Sequence, residues 1–189
     1  MNRVLLGVCV VQFLAGSVLS TYALASTASN KEVQVAAQRE WGEAVQGRAL
    51  SISTQKARYA PEEPISLSIL LKNAGTNEIQ MESISPFAAY YIEVVGPDGK
   101  NTPPTVYGKK LFAYLVGSWG SQGPSRKLKP GAELPVEMRI ARLFDFSLPG
   151  KYTISVQKAI AGRITYTNTL NAVSNKITLT IDDSLATKP

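Results

Sequence analysis

The sequence contains no histidine and a single cysteine, Cys9, among its 189 residues. Without histidine there is no imidazole base to activate a serine or cysteine nucleophile, and no imidazole ligand for a metal. A single cysteine forms no disulfide within the chain and no thiolate zinc cluster. Phosphate-binding motifs of the P-loop or Rossmann kind are also missing. These absences exclude most catalytic designs, so we predict a protein that is not an enzyme, has no catalytic residues and holds no metal or cofactor.

Three remaining arrangements of polar residues are explained without catalysis. Ser53-Thr54-Gln55-Lys56 matches the S-x-x-K pattern of serine–lysine enzymes, but about one such match is expected by chance in this composition, and this serine ends a strand-like run. Glu62-Glu63 lie in a proline-flanked turn and Asp182-Asp183 lie near the C-terminus, where solvated charge accounts for both pairs. No EF-hand spacing for calcium is present.

The N-terminus has the pattern of a secretory signal peptide. Arg3 is followed by an apolar run from Val4 to Leu19 and then by the small residues of Ala23-Leu24-Ala25. A positive start, a short apolar stretch and a small-x-small site are typical of export signals, and the run is short for a membrane span. We therefore predict that residues 1–25 are a signal peptide cleaved after Ala25. The mature chain would have no cysteine and no transmembrane segment, and it would be secreted or periplasmic.

Positive charge exceeds negative charge, with 20 Lys and Arg against 14 Asp and Glu and a formal net charge of +6. Such an excess suits a nucleic-acid partner, an anionic envelope surface, or solubility alone. Because exported proteins seldom meet nucleic acid, we predict no nucleic-acid partner. A protein, or an anionic envelope component or glycan, remains as the predicted partner class.

Short runs in which apolar and polar residues alternate fill residues 46–181. A period of two is typical of strands with one buried face. Turn sequences such as Gly96-Pro97-Asp98-Gly99 separate the runs. The sequence therefore predicts an all-β fold, a single immunoglobulin-like antiparallel β-sandwich of about seven to nine strands. The alternating runs include Leu50 and Ile52, Ile65 to Leu71, Ile79 to Ile84, Tyr90 to Val94, Leu134 to Ile140, Tyr152 to Val156, and Ile177 to Ile181.

The segments on either side of this domain have a different character. Residues 26–45 are polar and alanine-rich, which predicts a loosely held N-terminal segment with Trp41 attaching its end to the domain. Residues 182–189 are predicted to be a polar tail.

The segment Leu148-Pro149-Gly150-Lys151-Tyr152 resembles the tyrosine corner of immunoglobulin-like folds, in which the tyrosine hydroxyl bonds to nearby backbone. Together with other turn and strand-entry motifs, it makes most of residues 48–181 resemble a group of secreted bacterial Ig-like domains. Similar arrangements occur in the non-catalytic domain of deuterolysin-type metallopeptidases and in the Bacillus-type intracellular proteinase inhibitor fold. The resemblance implies architecture rather than activity. The other motifs are Tyr59-Ala60-Pro61-Glu62-Glu63-Pro64-Ile65, Leu71-Lys72-Asn73, Gly96-Pro97-Asp98-Gly99-Lys100, Leu128-Lys129-Pro130-Gly131, Phe144-Asp145 and Ser174-Asn175-Lys176-Ile177.

Residues 105–129 have the composition of a binding surface. Aromatic rings stack on sugars and cations and dock on proteins at low entropic cost, while glycines permit close approach. The alternative is a buried strand, because Leu111 to Val116 is a continuous apolar run. The candidate partner-binding residues are Tyr107, Lys109, Lys110, Phe112, Tyr114, Trp119, Arg126 and Lys127.

Together these features favour a secreted or periplasmic, non-enzymatic binding module that recognises a protein or an envelope component. Binding would use residues 105–129 or an exposed sheet edge. Two alternatives remain open. A secreted protease inhibitor requires a rigid protruding loop, and a carbohydrate-binding module requires a platform of coplanar aromatic rings. The sequence does not determine the oligomeric state.

Overall fold

The computed structural model describes residues 39–83, 85–117, 123–160 and 170–186. The proposed signal peptide and Trp119 therefore lie outside the described residues. This part of the chain is mostly β, in agreement with the predicted fold class. The strands are β1 (Arg48–Thr54), β2 (Arg58–Tyr59), β3 (Ser66–Asn73), β4 (Ile79–Ser83), β5 (Tyr91–Val95), β6 (Gly123–Leu128), β7 (Glu133–Arg139), β8 (Gly150–Ala159), β9 (Asn171–Val173) and β10 (Ile177–Ile181). The helices are α1 (Pro86–Ala89) and α2 (Val106–Gly117), with 3-10 turns at Ile140–Arg142 and Asp183–Leu185.

The first sheet is antiparallel, with the strand order β1-β3-β7. On its central strand, β3, the apolar residues Leu67, Ile69 and Leu71 are fully buried, as their alternation predicts. Ile69 lies opposite Ile52 of β1 and Val136 of β7. These cross-strand apolar pairs stabilise the register, because a slip by one residue would turn every one of them towards the other face.

The second sheet has the order β2-β10-β8-β5, and β9 also pairs with β8. The short β2 runs parallel to β10, and the other pairs are antiparallel. Ile154, near the centre of β8, is fully buried and lies opposite Ile177 of β10 and Val94 of β5. Buried side chains of both sheets belong to one hydrophobic core, to which the first contributes Leu50 and the second Leu179.

A third, two-stranded sheet pairs β4 with β6. The buried amide of Asn73 links it to the end of β3. Its Nδ2 donates to the backbone oxygens of Asn77 and Leu128 at 2.8 Å, and its Oδ1 accepts from the backbone nitrogen of Gly75 at 3.0 Å. A fully buried amide needs such partners, because an unsatisfied one would carry its full desolvation cost.

The hydrogen bond expected at Tyr152 is present. Its hydroxyl donates to the backbone oxygen of Leu148 at 2.7 Å, and its ring is buried with its centroid 4.9 Å from that of Phe146. Burial raises the pKa of Tyr152, because the ionised phenolate would lose its hydration. The side chain thus fixes the start of β8 to the turn before it.

The residues before β1 lie against the first sheet. The backbone nitrogen of Gly42 donates to Leu50 at 2.8 Å, and Ser51 Oγ donates to the backbone oxygen of Glu40 at 2.6 Å. Between them, Trp41 is half-buried with Lys72 Nζ 5.4 Å from its ring centroid. These contacts hold residues 40–42 to β1 and place Trp41 beside Lys72 of β3.

One sequence-based interpretation is wrong. The apolar run Leu111 to Val116, which could have been a strand buried on both faces, lies in the helix α2. The run is apolar on every side, so a continuous stretch of this kind fits a buried strand and a helix equally well. No helix in the described part of the chain is long and apolar enough to span a membrane.

Candidate functional site

Thr105 begins α2 and attaches it to the core. Its Oγ1 accepts a hydrogen bond from the backbone nitrogen of Gly108 at 3.0 Å, which is the side-chain cap that a helix start favours. The same hydroxyl donates to the backbone oxygen of Arg142 at 2.6 Å, and the Thr105 nitrogen donates to Leu143 at 2.9 Å. One residue thus sets both the start of the helix and its position against the 3-10 turn Ile140–Arg142.

Gly108 lets α2 approach the backbone after that turn. A Cβ atom at this position would lie 2.2 Å from the backbone oxygen of Leu143, far inside van der Waals contact. The close approach of the two backbones therefore requires glycine at this position, although glycine is a poor helix former.

The inner face of α2 consists of Gly108, Leu111, Phe112 and Leu115, which recur with helical spacing and are buried or half-buried. Phe112 packs against Phe144, with ring centroids 6.0 Å apart and a tilt of 46°. Leu111 and Phe112 both lie against the hydrophobic core. Phe112, a predicted binding residue, is thus directed inward.

The opposite side of the helix, here called the outer face of α2, is exposed and comprises Val106, Tyr107, Lys109, Lys110, Ala113 and Tyr114. Val106 is 72 %, Tyr107 44 % and Tyr114 69 % exposed. Tyr107, Lys110 and Tyr114 are spaced i, i+3 and i+7, so they form one stripe that runs about 10 Å along the helix axis. The face combines large apolar side chains with two ammonium groups.

Arg142 adds a third cation at the edge of this face. Its guanidinium carbon lies 4.7 Å from the centroid of the Tyr107 ring. Guanidinium groups stack on aromatic rings in this way, which holds both side chains in place. The sequence did not point to Arg142, because it is 35 residues from Tyr107 and no local pattern connects them.

The remaining candidate residues are not on α2. Arg126 and Lys127 are exposed on β6, which pairs with β4, and Lys127 Nζ lies 3.1 Å from Glu78 Oε1. An exposed ion pair of this kind contributes little to stability. The structure thus brings together Tyr107, Lys109, Lys110 and Tyr114, whereas Arg126 and Lys127 belong to another element.

The charge of the chain segment that contains α2 is one-sided. Between Gly99 and Ala132 the sequence has no Asp or Glu. Exposed cations without neighbouring acids on their own segment create a positive potential that attracts anionic groups. The cations of this segment are Lys100, Lys109, Lys110, Arg126, Lys127 and Lys129.

Two signals in the sequence could have identified the helix and its exposed face. Thr105 directly follows two prolines and precedes the first residues with helical spacing, so it stands at the N-cap position of a helix. Gly108, Leu111, Phe112 and Leu115 then follow the i, i+3, i+4, i+7 spacing of an inward helix face, which leaves Val106 and Tyr114 outside.

The described residues contain no cluster of three or more His, Cys, Asp or Glu side chains that could hold a metal ion. The S-x-x-K match is also explained by structure. Ser53 lies in β1, and Lys56 Nζ forms an ion pair with Glu63 Oε1 at 2.6 Å. The hydrogen bond from Lys56 lowers the pKa of Glu63, with a further contribution from the backbone nitrogen of Ala60.

The sequence matches no known protein family and no curated protein. Among solved structures it is similar to an X-ray structure of Northeast Structural Genomics Consortium target SoR45, with 11 % sequence identity and a TM-score of 0.40. The match covers 76 % of this chain and 93 % of that chain. A likeness at this level carries no information about what the chain binds.

Proposed function

We propose that this chain is an exported, immunoglobulin-like β-sandwich that acts as a non-enzymatic binding module and recognises a protein or an envelope component through the outer face of α2. The observation that carries the proposal is that α2 has apolar residues on both faces, although only its inner face has a partner in the described structure. The export part of the proposal rests on the signal-like N-terminus.

The order of the strands supports the immunoglobulin-like assignment. Such folds place strands A, B and E in one sheet and strands C, F and G in the other. If β1, β3 and β7 are strands A, B and E, and β5, β8 and β10 are strands C, F and G, both observed orders match this arrangement. The bonded Tyr152 then stands near the start of strand F, where the tyrosine corner is expected.

The exposure of α2 supports binding. A helix whose outward side carries several large apolar residues leaves surface in water that association would bury. Tyrosine is well suited to this role, since its ring contributes contact area and its hydroxyl remains satisfied at a wet boundary. The contacts of Thr105 and Gly108 hold the helix against the body, so the face is preorganised and costs little entropy to dock.

The absence of histidine from the whole sequence supports the non-enzymatic assignment, because the commonest general base is missing. The carbohydrate alternative is less well supported by the geometry. Arg142 covers one side of the Tyr107 ring and Phe112 is turned inward, so neither contributes to an open stacking platform.

The proposal is tested by measuring saturable binding of the purified protein to the envelope fraction of its own cell. The outer-face variant combines Lys110→Gln with Tyr114→Ser, and the matched control combines Lys151→Gln with Tyr91→Ser. Lys151 and Tyr91 are also exposed, but they lie on the second sheet. Thermal unfolding of all three proteins establishes that they are equally folded.

We expect the outer-face variant to lose most of its binding while the control pair retains it. Equal binding by both variants would contradict the proposal. Inhibition of a panel of proteases by the wild type and the outer-face variant alike would favour the inhibitor alternative instead.

A further inference from the structure

We infer that the partner of the outer face of α2 is the anionic surface of a phospholipid bilayer. The inference rests on the proposed function, because it assigns a ligand class to the same face. It depends on three features: the types of cation on the face, the exposure of its tyrosines and the absence of Asp and Glu from the segment Gly99 to Ala132.

The cations of the face suit phosphate groups. Lys109 and Lys110 are both exposed, and neither forms an ion pair with the described residues. Lysine is depleted in the buried centre of protein–protein interfaces, whereas its long stem can lie along an apolar surface with the ammonium group in the polar headgroup layer. The adjacent Arg142 already stacks on Tyr107, which leaves the two lysines as the mobile charges.

The apolar side chains are those that occupy a membrane–water boundary. Val106 and Tyr114 are more than two-thirds exposed, and Tyr114 lies two helical turns beyond Tyr107 on the same stripe. Tyrosine is enriched at the level of the headgroups, where the ring is shielded and the hydroxyl is hydrated. Because the inner face of α2 is fixed to the core, the helix would lie on the surface rather than insert.

The charge of the chain favours an extended anionic surface over other occupants. A second copy of the chain would bring two faces of the same sign together, and like charges oppose association. A small acidic site on a protein would contact only a few cations, so it would not require a whole segment to be free of acids. Here the segment from Gly99 to Ala132 has no acid at all, so no carboxylate of that segment would be pressed against an anionic bilayer.

The test is co-sedimentation of the purified, exported protein with vesicles, its N-terminus first established by intact mass. One set of vesicles is phosphatidylcholine mixed with phosphatidylglycerol, and the other is phosphatidylcholine alone. We expect binding to the anionic vesicles only, decreasing as salt is raised. Replacing both lysines (Lys109→Gln with Lys110→Gln) should lower the partition coefficient about 25-fold, since each cation near such a surface contributes about fivefold.

The matched control replaces Lys151 on β8 and Lys176, just before β10, by glutamine. Both lysines are exposed, and the control has the same reduction in net charge as the test pair, so its binding should stay within about twofold of wild type. Equal losses in the two pairs, or no binding to anionic vesicles, would overturn the inference. Equally strong, α2-dependent binding to soluble poly-glutamate would overturn it as well, because a bilayer would then not be needed.

These outcomes are distinguishable from failure of the proposed function. If the vesicles are ignored but binding to the native envelope fraction still requires Lys110 and Tyr114, the lipid assignment fails and the binding module stands. If neither measurement depends on the outer face, both fail.

Discussion

Single polar residues connect separate elements of this protein through their side-chain hydrogen bonds. Thr105 both caps α2 and bonds to the segment beside it, and Asn73 satisfies three backbone groups with one buried amide. Neither role depends on size or hydrophobicity. Each role depends on a hydrogen-bond donor and an acceptor in a fixed geometry. A replacement therefore preserves the contact only if it supplies the same donor and acceptor, whatever its helix or strand propensity.

Removing the hydroxyl of Tyr152 isolates one such contact. Tyr152→Phe keeps the buried ring and its packing on Phe146 but leaves the backbone oxygen of Leu148 without this donor. We expect the free energy of unfolding to fall by about 1 kcal/mol, which urea denaturation can measure. Tyr114→Phe is the control, because its hydroxyl lies on an exposed side chain. Equal stability of wild type and Tyr152→Phe would contradict a structural role for the hydroxyl.

Burial of Tyr90 predicts a loss of stability at high pH. Desolvation raises the pKa of Tyr90 to about 12, and the ammonium of Lys158 lies 5.0 Å from its ring centroid. A group with a raised folded pKa stabilises the folded state fully below its unfolded pKa of about 10, and this contribution is lost as the pH rises towards 12. Above that value the loss from this group alone should be about 3 kcal/mol, since each pKa unit corresponds to about 1.4 kcal/mol.

The measurement is the free energy of unfolding between pH 9 and pH 12 for wild type and Tyr90→Phe. The variant should lose less stability over this interval, since it has no phenol to ionise at this position. Parallel curves for the two proteins would show that Tyr90 titrates alike in the folded and unfolded states.

At the scale of elements, the strands were predicted from the sequence and the helix was missed, although its cap and its helical spacing are present in the sequence. The alternation of Ile65 to Leu71 is a local property, and the buried side of β3 follows from it directly. In α2, by contrast, Val106 and Tyr114 are as apolar as residues that turn inward, so composition does not select the inner face. The helical spacing that starts at Gly108 indicates the inner face, and the close approach of Gly108 to Leu143, 35 residues away along the chain, sets where that face packs.

Substitution of Gly108 tests how α2 is positioned. Alanine is the better helix former by about 1 kcal/mol, so propensity alone predicts stabilisation by Gly108→Ala. The new Cβ would meet the backbone oxygen of Leu143 at 2.2 Å, and overpacking of this kind costs about 1–3 kcal/mol. We expect net destabilisation in thermal or urea unfolding, with Ala113→Ser on the outer face as the neutral control. A more stable Gly108→Ala variant would show that the helix can move away from Leu143 freely.

Both edges of the first sheet disfavour the addition of a strand from another chain. On β1, Asn175 occupies the edge, with its Oδ1 accepting from the nitrogen of Ile52 at 2.7 Å and its Nδ2 donating to the oxygen of Ile52 at 3.1 Å. On β7 the exposed residues are Glu133, Pro135, Glu137 and Arg139. Charges and proline on an edge strand discourage pairing with another chain.

At the scale of the whole molecule, the distribution of charge matters more than its sum. The net charge of +6 alone is compatible with simple solubility, but the acid-free segment from Gly99 to Ala132 carries six of the cations and includes α2. The proposed class of partner, an anionic surface, therefore rests on the local composition of the sequence. It could not predict which candidate residues share a surface, because Arg126 and Lys127 are separated from α2 only once the chain has folded.

The central claim, that the outer face of α2 is the binding surface, is tested most directly by lysine labelling read by mass spectrometry. The protein is labelled alone and in the presence of its native envelope fraction, and the reactivity of each lysine is compared. We predict that Lys109 and Lys110 become protected while Lys151 on β8 and Lys176 just before β10, which are also exposed, react as before. Unchanged labelling of Lys109 and Lys110 under conditions in which the protein is bound would contradict the account.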